Sequence, residues 1–324
     1  MIKEDITFLS SNKKNNIHAI CCTPKDGHYT KILQIIHGMT EYIEKFLPFI
    51  EYLTSKGYIV VGHDQLGHGN SFTNSDDKGY FGEPDPNNLL IQDIHTLRQM
   101  TQEKYKNIPY FMLGHSMGSY LLREYITFYS ENLSGVILIS TGYAAPCFCS
   151  CCLAFLKVFA CFKGWHHRSK IIQKMMDGDG GEKKYDPTGK DLNNSWLCRD
   201  PETVKMLLSD KKSNFLFTLN GLYGLFDCVK KSCDPNYLAK IKKDLPIVFL
   251  SGDSDPVGDC GKGVKKIYDL VKSLGSIDVS MKLFENDRHE LLLEIDKKDV
   301  YEYINVWIEK KCLANNSRND RIHR

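Results

Sequence analysis

Apolar runs typical of β-strands alternate with segments of helical spacing along most of the chain. Four such runs lie at 31–38, 58–64, 109–116 and 134–141, and the alternation resumes with a fifth run at 245–255. Strands that alternate with helices join through right-handed crossovers into a mostly parallel sheet whose two faces are both covered. The alternation therefore predicts an α/β fold built on a parallel sheet.

The alternation has one exception and one interruption. The runs DITFLS and IHAICCTP follow each other near the N-terminus without a helix between them, and they predict an opening antiparallel pair. From 143 to 240 the sequence is first helical and cysteine-rich, then polar, then aromatic. We interpret 143–240 as an inserted cap over the C-terminal edge of the sheet, and 1–142 together with 241–324 as the core.

The composition is that of an ordinary soluble globular protein. Of the 324 residues, 42% are hydrophobic and 25% are charged, and the formal net charge of +2 gives no indication of a nucleic-acid partner. The first residues, MIKEDITFLS, carry charges where a signal peptide would be apolar. We therefore expect a cytoplasmic protein whose twelve cysteines are reduced thiols.

The stretch FMLGHSMGSY places one serine between two glycines, after a predicted strand and before a helix predicted over 117–129. Gly114 and Gly118 allow a sharp backbone turn, which presents the Ser116 hydroxyl at the C-terminal edge of the sheet. The pattern G-x-S-x-G in this context is a nucleophile elbow. The alternative is a turn of glycine and serine with no chemical role.

A serine hydroxyl becomes an effective nucleophile when a base removes its proton and a carboxylate orients that base. The chain supplies both groups after later strands, in the stretches SGDSDPVGD and NDRHELLLE. We predict His289 as the base and Asp255 as its carboxylate, because the order serine, aspartate, histidine is the one expected with a nucleophile elbow. Asp253 and Asp259 lie in the same loop as Asp255 and are alternatives for the acid.

The oxyanion that forms during acyl transfer needs N–H donors. One predicted donor is Met117, whose N–H lies at the start of the helix after the elbow. The other is Met39, which follows His37 and Gly38 at the end of the strand KILQIIHG. The alternative is that Gly38 simply ends this strand. The glycine-containing stretch HDQLGHGNS, at 63–71, is predicted to form a tight structural loop beside the site.

These motifs together resemble those of the α/β-hydrolase superfamily, and within it the monoacylglycerol lipase and lysophospholipase group, which is also classed with the serine aminopeptidases. The matching stretches are HGMTEY, HDQLGHGNS, GHSMGS, SGDSDPVGD and RHE. The resemblance implies an eight-stranded, mostly parallel sheet with an inserted helical cap. It also implies a catalytic triad of Ser116, Asp255 and His289, an oxyanion hole formed by the N–H groups of Met39 and Met117, and chemistry without a metal or cofactor.

The resemblance further implies hydrolysis of carboxylic esters of hydrophobic acyl groups through an acyl-enzyme on Ser116. Substrates of the group include monoacylglycerols, lysophospholipids and other small esters, and the cap sets the choice among them. Thioesters and N-terminal aminoacyl amides are alternative substrates for the same triad. A non-catalytic ligand-binding protein on the same scaffold is a further alternative, which the complete set of three side chains disfavours.

The predicted cap opens with a cluster of thiols, since five of the twelve cysteines lie between Cys147 and Cys161. In one interpretation these cysteines are small apolar side chains of a cap helix. In a second, the segment from Cys147 to Trp165 contacts a membrane surface. In a third, the thiols bind zinc together with His166 or His167, although their spacing fits no ordinary zinc motif.

Overall fold

A computed structural model describes residues 1–172, 185 and 195–322, with side chains as far as residue 314. Its centre is one eight-stranded sheet with the strand order β1-β2-β4-β3-β5-β6-β7-β8. The strands are β1 (Ile2–Leu9), β2 (Asn16–Thr23), β3 (Lys31–Ile36), β4 (Tyr58–His63), β5 (Tyr110–His115), β6 (Gly135–Ile139), β7 (Ile247–Gly252) and β8 (Val279–Phe284). Strand β2 runs antiparallel to β1 and β4, and every other pair is parallel.

Helices connect the strands and form the segment between β6 and β7. They are α1 (Leu47–Ser55), α2 (Pro86–Lys104), α3 (Met117–Tyr125), α4 (Pro146–Lys163), α5 (Pro201–Ser209), α6 (Leu219–Ser232), α7 (Pro235–Leu238), α8 (Lys262–Ser273) and α9 (Lys297–Ile322). Two short 3-10 segments lie at Ile43–Phe46 and Ser75–Asp77.

The predicted fold class is confirmed, including the opening antiparallel pair of β1 and β2. Two helix ends differ from the prediction. Helix α3 ends at Tyr125 rather than 129, because the N–H groups of Thr127 and Phe128 bond three residues back and tighten the turn that follows. Helix α9 continues beyond its predicted end at Cys312 to Ile322.

The sheet is buried on both faces, as its continuous apolar strands require. Helices α1 and α9 cover one face through side chains such as Leu53 and Ile304, whereas α2, α3 and α8 cover the other. Every residue of β3, β4, β5, β6 and β7 is buried. Burial of each leucine or isoleucine stabilises the folded state by about 1.5–3 kcal/mol. The central strands therefore form a stable base for the residues at their C-terminal ends.

The segment between β6 and β7 packs over one face of this core. Helices α4 and α6 pack against each other, and α6 also contacts α2 and α3. Cys149 and Leu156 on α4 are fully buried, as are Leu219 and Leu222 on α6. The division into a cap at 143–240 and a core at 1–142 and 241–324 stays a prediction, and residues 173–184 and 186–194 of that cap lie outside the described residues.

Candidate active site

The turn between β5 and α3 holds Ser116 in a conformation that side chains rarely adopt. Its φ is 50° and its ψ is −120°, and its N–H donates to Ile139 O at 3.0 Å. The neighbouring strand and helix approach so closely that a Cβ on Gly118 would lie 2.1 Å from Ile36 O, and one on Gly114 would lie 2.4 Å from Gly118 O. Glycine is therefore required on both sides of the turn that presents the serine hydroxyl.

The three predicted triad side chains form one hydrogen-bonded line. His289 Nε2 lies 2.9 Å from Ser116 Oγ, and His289 Nδ1 lies 3.0 and 3.1 Å from the two carboxylate oxygens of Asp255. The Asp255 carboxylate is fully buried and also accepts from Val257 N–H at 2.9 Å. With the Nδ1 proton donated to this carboxylate, Nε2 accepts from the serine hydroxyl, which is the arrangement that activates a serine.

The other two candidate carboxylates lie elsewhere in the loop after β7. Asp253 accepts from Ser254 Oγ at 3.0 Å and from Asn286 N–H at 2.8 Å, so it ties this loop to the turn after β8. Asp259 lies in the turn that leads into α8, where its carbonyl accepts from Lys262 N–H. The structure therefore brings Asp255 to the histidine and leaves the two alternatives in structural positions.

The turn after β3 lies directly against the elbow, since a Cβ on Gly38 would be 3.0 Å from Ser116 Cβ. Gly38 N–H donates to Glu41, and Thr40 N–H donates to His68 Nε2 at 3.2 Å. Of these three consecutive N–H groups, that of Met39 has no hydrogen-bond partner among the described residues. Met117 is the first residue of α3, and the start of this helix lies close to the same turn, since a Cβ on Gly118 would be 2.7 Å from His37 O. Met39 and Met117 thus stay the predicted oxyanion donors.

The loop at 63–71 holds the turn after β3 in place, in keeping with its predicted structural role. His37 Nε2 accepts from Gln65 N–H at 2.9 Å, and Gln65 Nε2 donates back to His37 O at 2.6 Å. Burial lowers the pKa of His68 to about 3, so its imidazole is neutral and its Nε2 can accept the hydrogen bond from Thr40 N–H.

A buried ionic network beneath the elbow is absent from the sequence-based prediction. The Glu41 carboxylate accepts from Gly38 N–H, from His115 Nδ1 at 2.8 Å and from Lys45 Nζ at 3.0 Å. Lys45 Nζ also lies 3.6 Å from Glu290. The signal for Glu41 was present in the sequence, because a glutamate three residues after a turn glycine can accept that glycine's N–H, as the glutamate of a capping box does.

His115 links this network to the catalytic loop. Its Nε2 donates to His289 O at 3.2 Å, and the same carbonyl accepts from Ser140 Oγ at 2.6 Å. Burial favours the neutral imidazole, but the charge and hydrogen bond of Glu41 outweigh it and raise the pKa of His115 to about 9. Both ring nitrogens then act as donors, in agreement with their two acceptor partners.

Two groups of described side chains have the spacing of metal ligands, and neither contains a cap cysteine. They are Glu41, His115 and Glu290, and Asp287, Glu294 and Asp296. Each group already holds a cationic side chain: Lys45 contacts the first and Arg199 contacts the second. An internal cation therefore occupies the electrostatic role that a metal ion would have at both places.

The cap cysteines divide between the two faces of α4. Cys149 and Cys152 are buried and pack as small apolar side chains, whereas Cys147, Cys151 and Cys161 are exposed. Helix α4 is also long and apolar enough to cross a membrane by length and composition alone.

The proteins that this chain resembles are hydrolases, in agreement with the geometry of the site. Residues 27–296 match the family described as serine aminopeptidase, S33. An uncharacterized abhydrolase domain-containing protein of Dictyostelium discoideum is 21% identical over 97% of this chain, which spans 30% of that longer protein. The monoglyceride lipase of Saccharomyces cerevisiae is 26% identical over 85% of this chain and 83% of its own length.

Among solved structures, a highly thermostable carboxyl esterase from Bacillus coagulans in complex with glycerol has the same fold. It superposes with a TM-score of 0.83 and is 29% identical, covering 95% of this chain and 99% of that one. The family match includes β3, the elbow, the loop after β7 and the loop after β8. The chain therefore belongs to the serine aminopeptidase S33 family of α/β-hydrolases, in the group that contains the monoglyceride lipases.

Proposed function

We propose that this serine hydrolase cleaves the carboxylic ester of a single-chain lipid, with monoacylglycerols as the leading substrate class. The observation that carries the proposal is the hydrogen-bonded line from Ser116 Oγ through His289 to the buried Asp255 carboxylate. The yeast relative named as a monoglyceride lipase and the bacterial carboxyl esterase support ester chemistry for this chain.

In the proposed reaction, Ser116 Oγ attacks the ester carbonyl while His289 Nε2 takes the hydroxyl proton. Asp255 holds the imidazole in the required orientation and stabilises its positive charge. The N–H groups of Met39 and Met117 donate to the oxyanion of the tetrahedral intermediate. His289 then protonates the leaving alcohol, and water repeats the sequence to release the fatty acid from the acyl-enzyme.

The outer face of α4 supports a lipid substrate presented at a membrane surface. Apart from Lys157 and Lys163, its exposed residues are apolar or thiol-bearing and recur at helical spacing: Cys147, Phe148, Cys151, Ala154, Phe155, Val158, Cys161 and Phe162. Phe162 is 82% exposed and Val158 is 61% exposed. We call this stripe the outer face.

Cationic groups flank the outer face. Lys157 lies on α4 beside it, Lys163 ends the helix and Lys170 follows, and all three are exposed. An apolar stripe flanked by basic residues is typical of helices that lie in the headgroup region of a membrane. We propose that the enzyme is cytoplasmic and docks reversibly on a membrane through the outer face.

The hydrolase proposal is tested by intact-mass analysis after incubation with a fluorophosphonate. We expect one adduct on the wild type and on Ser273→Ala, which removes an exposed hydroxyl of α8, and none on Ser116→Ala. A folded wild type that gives no adduct, with or without detergent, would contradict the proposal. Turnover of monoacylglycerols of graded chain length, beside an aminoacyl anilide, then separates lipase from aminopeptidase activity.

Docking is tested by flotation with phosphatidylcholine vesicles containing phosphatidylserine. The triple variant Phe148→Ser/Phe155→Ser/Phe162→Ser is expected to lose binding at least ten-fold, because each phenylalanine contributes about 1.5–3 kcal/mol when fully buried. The matched control is Ile277→Ser, which removes a 74% exposed apolar side chain away from α4. Equal binding of the triple variant and the wild type would contradict docking through the outer face.

A further inference from the structure

A short cap segment, residues 195–200, lies alongside the loop that carries His289; we call it the strap. His289 N–H donates to Trp196 O at 3.4 Å, and Glu290 N–H donates to Leu197 O at 2.7 Å. The Arg288 guanidinium of the same loop also donates to the strap, to Ser195 O and, at 3.4 Å, to Cys198 O. Three consecutive residues of the catalytic loop are thus bound to the backbone of the strap.

The strap also covers the catalytic imidazole itself. The Trp196 ring lies 5.2 Å from the His289 ring between centroids, at an interplanar angle of 43°. The His115 ring lies at the same centroid distance, 5.2 Å, at an angle of 46°. His289 remains only 5% exposed. One of the two aromatic neighbours that restrict this imidazole is therefore supplied by the cap.

Arg199 anchors the strap to the core. Its guanidinium contacts Asp287, lies 3.1 Å from Glu294 Oε2 and lies 2.7 Å from Asp296 Oδ1. The side chains of Asp287 and Glu294 are completely buried, so neither solvent nor counterions can neutralise their charges. Removing the guanidinium from such a group leaves the buried negative charge without compensation.

The anchoring carboxylates lie at both ends of the catalytic loop. Asp287 is two residues before His289, and Glu294 accepts from Arg288 N–H at 2.9 Å. Among the described side chains, Arg199 is the cation that forms ion pairs with all three carboxylates. Without this guanidinium the carboxylates repel one another within the segment that must hold His289 against Ser116.

We propose that Arg199 is a positioning residue for His289, and that the strap makes the catalytic geometry depend on correct seating of the cap. Arg199 does not touch the reacting atoms; it acts through Asp287 and Glu294 on the loop. A displacement of a catalytic group by about 1 Å can reduce the rate about 10²-fold. The proposal rests on the role of His289 in the proposed hydrolase reaction.

The test compares Arg199→Met with Arg168→Met. Arg168 is a matched control, because it also joins the cap to the core, through the carbonyls of Asp76 and Lys78, but away from His289. For a soluble p-nitrophenyl ester, we expect Arg199→Met to lower kcat about 10²-fold with KM within about three-fold. We expect Arg168→Met to leave kcat within about two-fold of the wild type.

Rescue and labelling separate positioning from general loss of structure. Millimolar methylguanidinium is expected to restore part of the kcat of Arg199→Ala, whose shortened side chain leaves room for the cation, and to leave the kcat of Arg168→Met unchanged. The fluorophosphonate labelling rate of Ser116 is expected to fall in parallel with kcat. If Arg199→Met does not fold, Asp296→Asn is used instead. It removes the charge of the 43% exposed Asp296 side chain, one of the three partners of Arg199, and is expected to give a smaller fall in kcat at unchanged KM.

Two results would overturn the proposal. One is a folded Arg199→Met protein with wild-type kcat and labelling rate. The other is an equal loss of kcat in the Arg168 variant, which would make the effect a general consequence of loosening the cap. A wild type that fluorophosphonate does not label would instead contradict the hydrolase proposal, so the two failures are distinguishable.

Discussion

The buried residues beneath Ser116, around His115 and the carbonyl of His289, form the floor of the site. The floor differs from the outer face of α4 in what holds its side chains in place. On the floor, single atoms accept from several elements at once, as when His289 O accepts from both Ser140 and His115. On the outer face, side chains such as Phe155 and Phe162 are exposed. Hydrogen bonds fix the positions of single atoms on the floor. On the outer face, what matters is the kind of side chain, apolar with cations beside it, and not the position of any one atom.

The same contrast exists within α4 itself. Leu156 is fully buried against the rest of the protein, and Phe155, one residue earlier, is 41% exposed. A substitution on the inner side therefore tests the fold, and a substitution on the outer side tests an interaction with something outside this chain.

The largest expected effect separates two aspartates of one loop. Asp255→Asn removes the charge that orients and stabilises the His289 imidazolium, and we expect kcat to fall about 10⁴-fold. Asp253→Asn is the matched control, since that carboxylate contacts Ser254 and Asn286 and not the histidine. Steady-state ester hydrolysis measures both. Similar losses in the two variants would show that the loop, and not the carboxylate, is what matters.

A smaller effect separates the two sides of α4. Leu156→Ala leaves a cavity in the packed side and is expected to lower the free energy of unfolding by about 2–5 kcal/mol. Phe162→Ala changes an 82% exposed side chain and is expected to alter it by no more than about 0.5 kcal/mol. Urea unfolding followed by fluorescence gives both values. A large cost for Phe162→Ala would mean that the outer face is packed.

The His115–Glu41 pair predicts a pH dependence of stability. The pKa of His115 is about 9 in the folded protein and about 6.5 in an unfolded chain. Its stabilising contribution is therefore complete below pH 6.5 and is lost as the pH rises through 9. The difference in unfolding free energy between the wild type and His115→Asn should shrink by roughly 2–3 kcal/mol between pH 6.5 and 9. A constant difference would contradict a charged His115.

The smallest expected effect is on chemistry in free solution. The triple variant Phe148→Ser/Phe155→Ser/Phe162→Ser should hydrolyse a soluble short-chain p-nitrophenyl ester within about two-fold of the wild-type rate, because the outer face contacts none of the reacting groups. Its activity on monoacylglycerol in vesicles should fall with its vesicle binding. A loss of soluble activity would place part of this face in the reaction itself.

The residues that sequence reasoning identified are those whose local pattern is tied to a backbone requirement. Gly114 and Gly118 are required by contacts closer than any side chain tolerates, and the apolar strands around them are fixed by burial. His289 could be predicted because the order of the three groups along the chain is set by the strand order of the sheet.

Trp196 and Arg199 carry no such signal. They lie in a cap segment without strand periodicity, and their contacts with the loop after β8 join residues about 90 positions apart. The elements of Glu41 and His115 were recognised, but their pairing was not, because a buried ion pair depends on two side chains meeting across the turn after β3 and the end of β5. Side-chain partnerships of this kind follow from packing rather than from local pattern.

Cys198 gives the strap a chemical reporter. The thiol is fully buried, its Sγ lies 3.6 Å from Leu293 O, and burial raises its pKa to about 12. In the seated strap it is therefore a protonated, inaccessible thiol that reacts poorly with alkylating reagents, while the exposed thiols of α4 react freely. The alkylation rate of Cys198, followed by peptide mass mapping, therefore measures how often the strap separates from the catalytic loop.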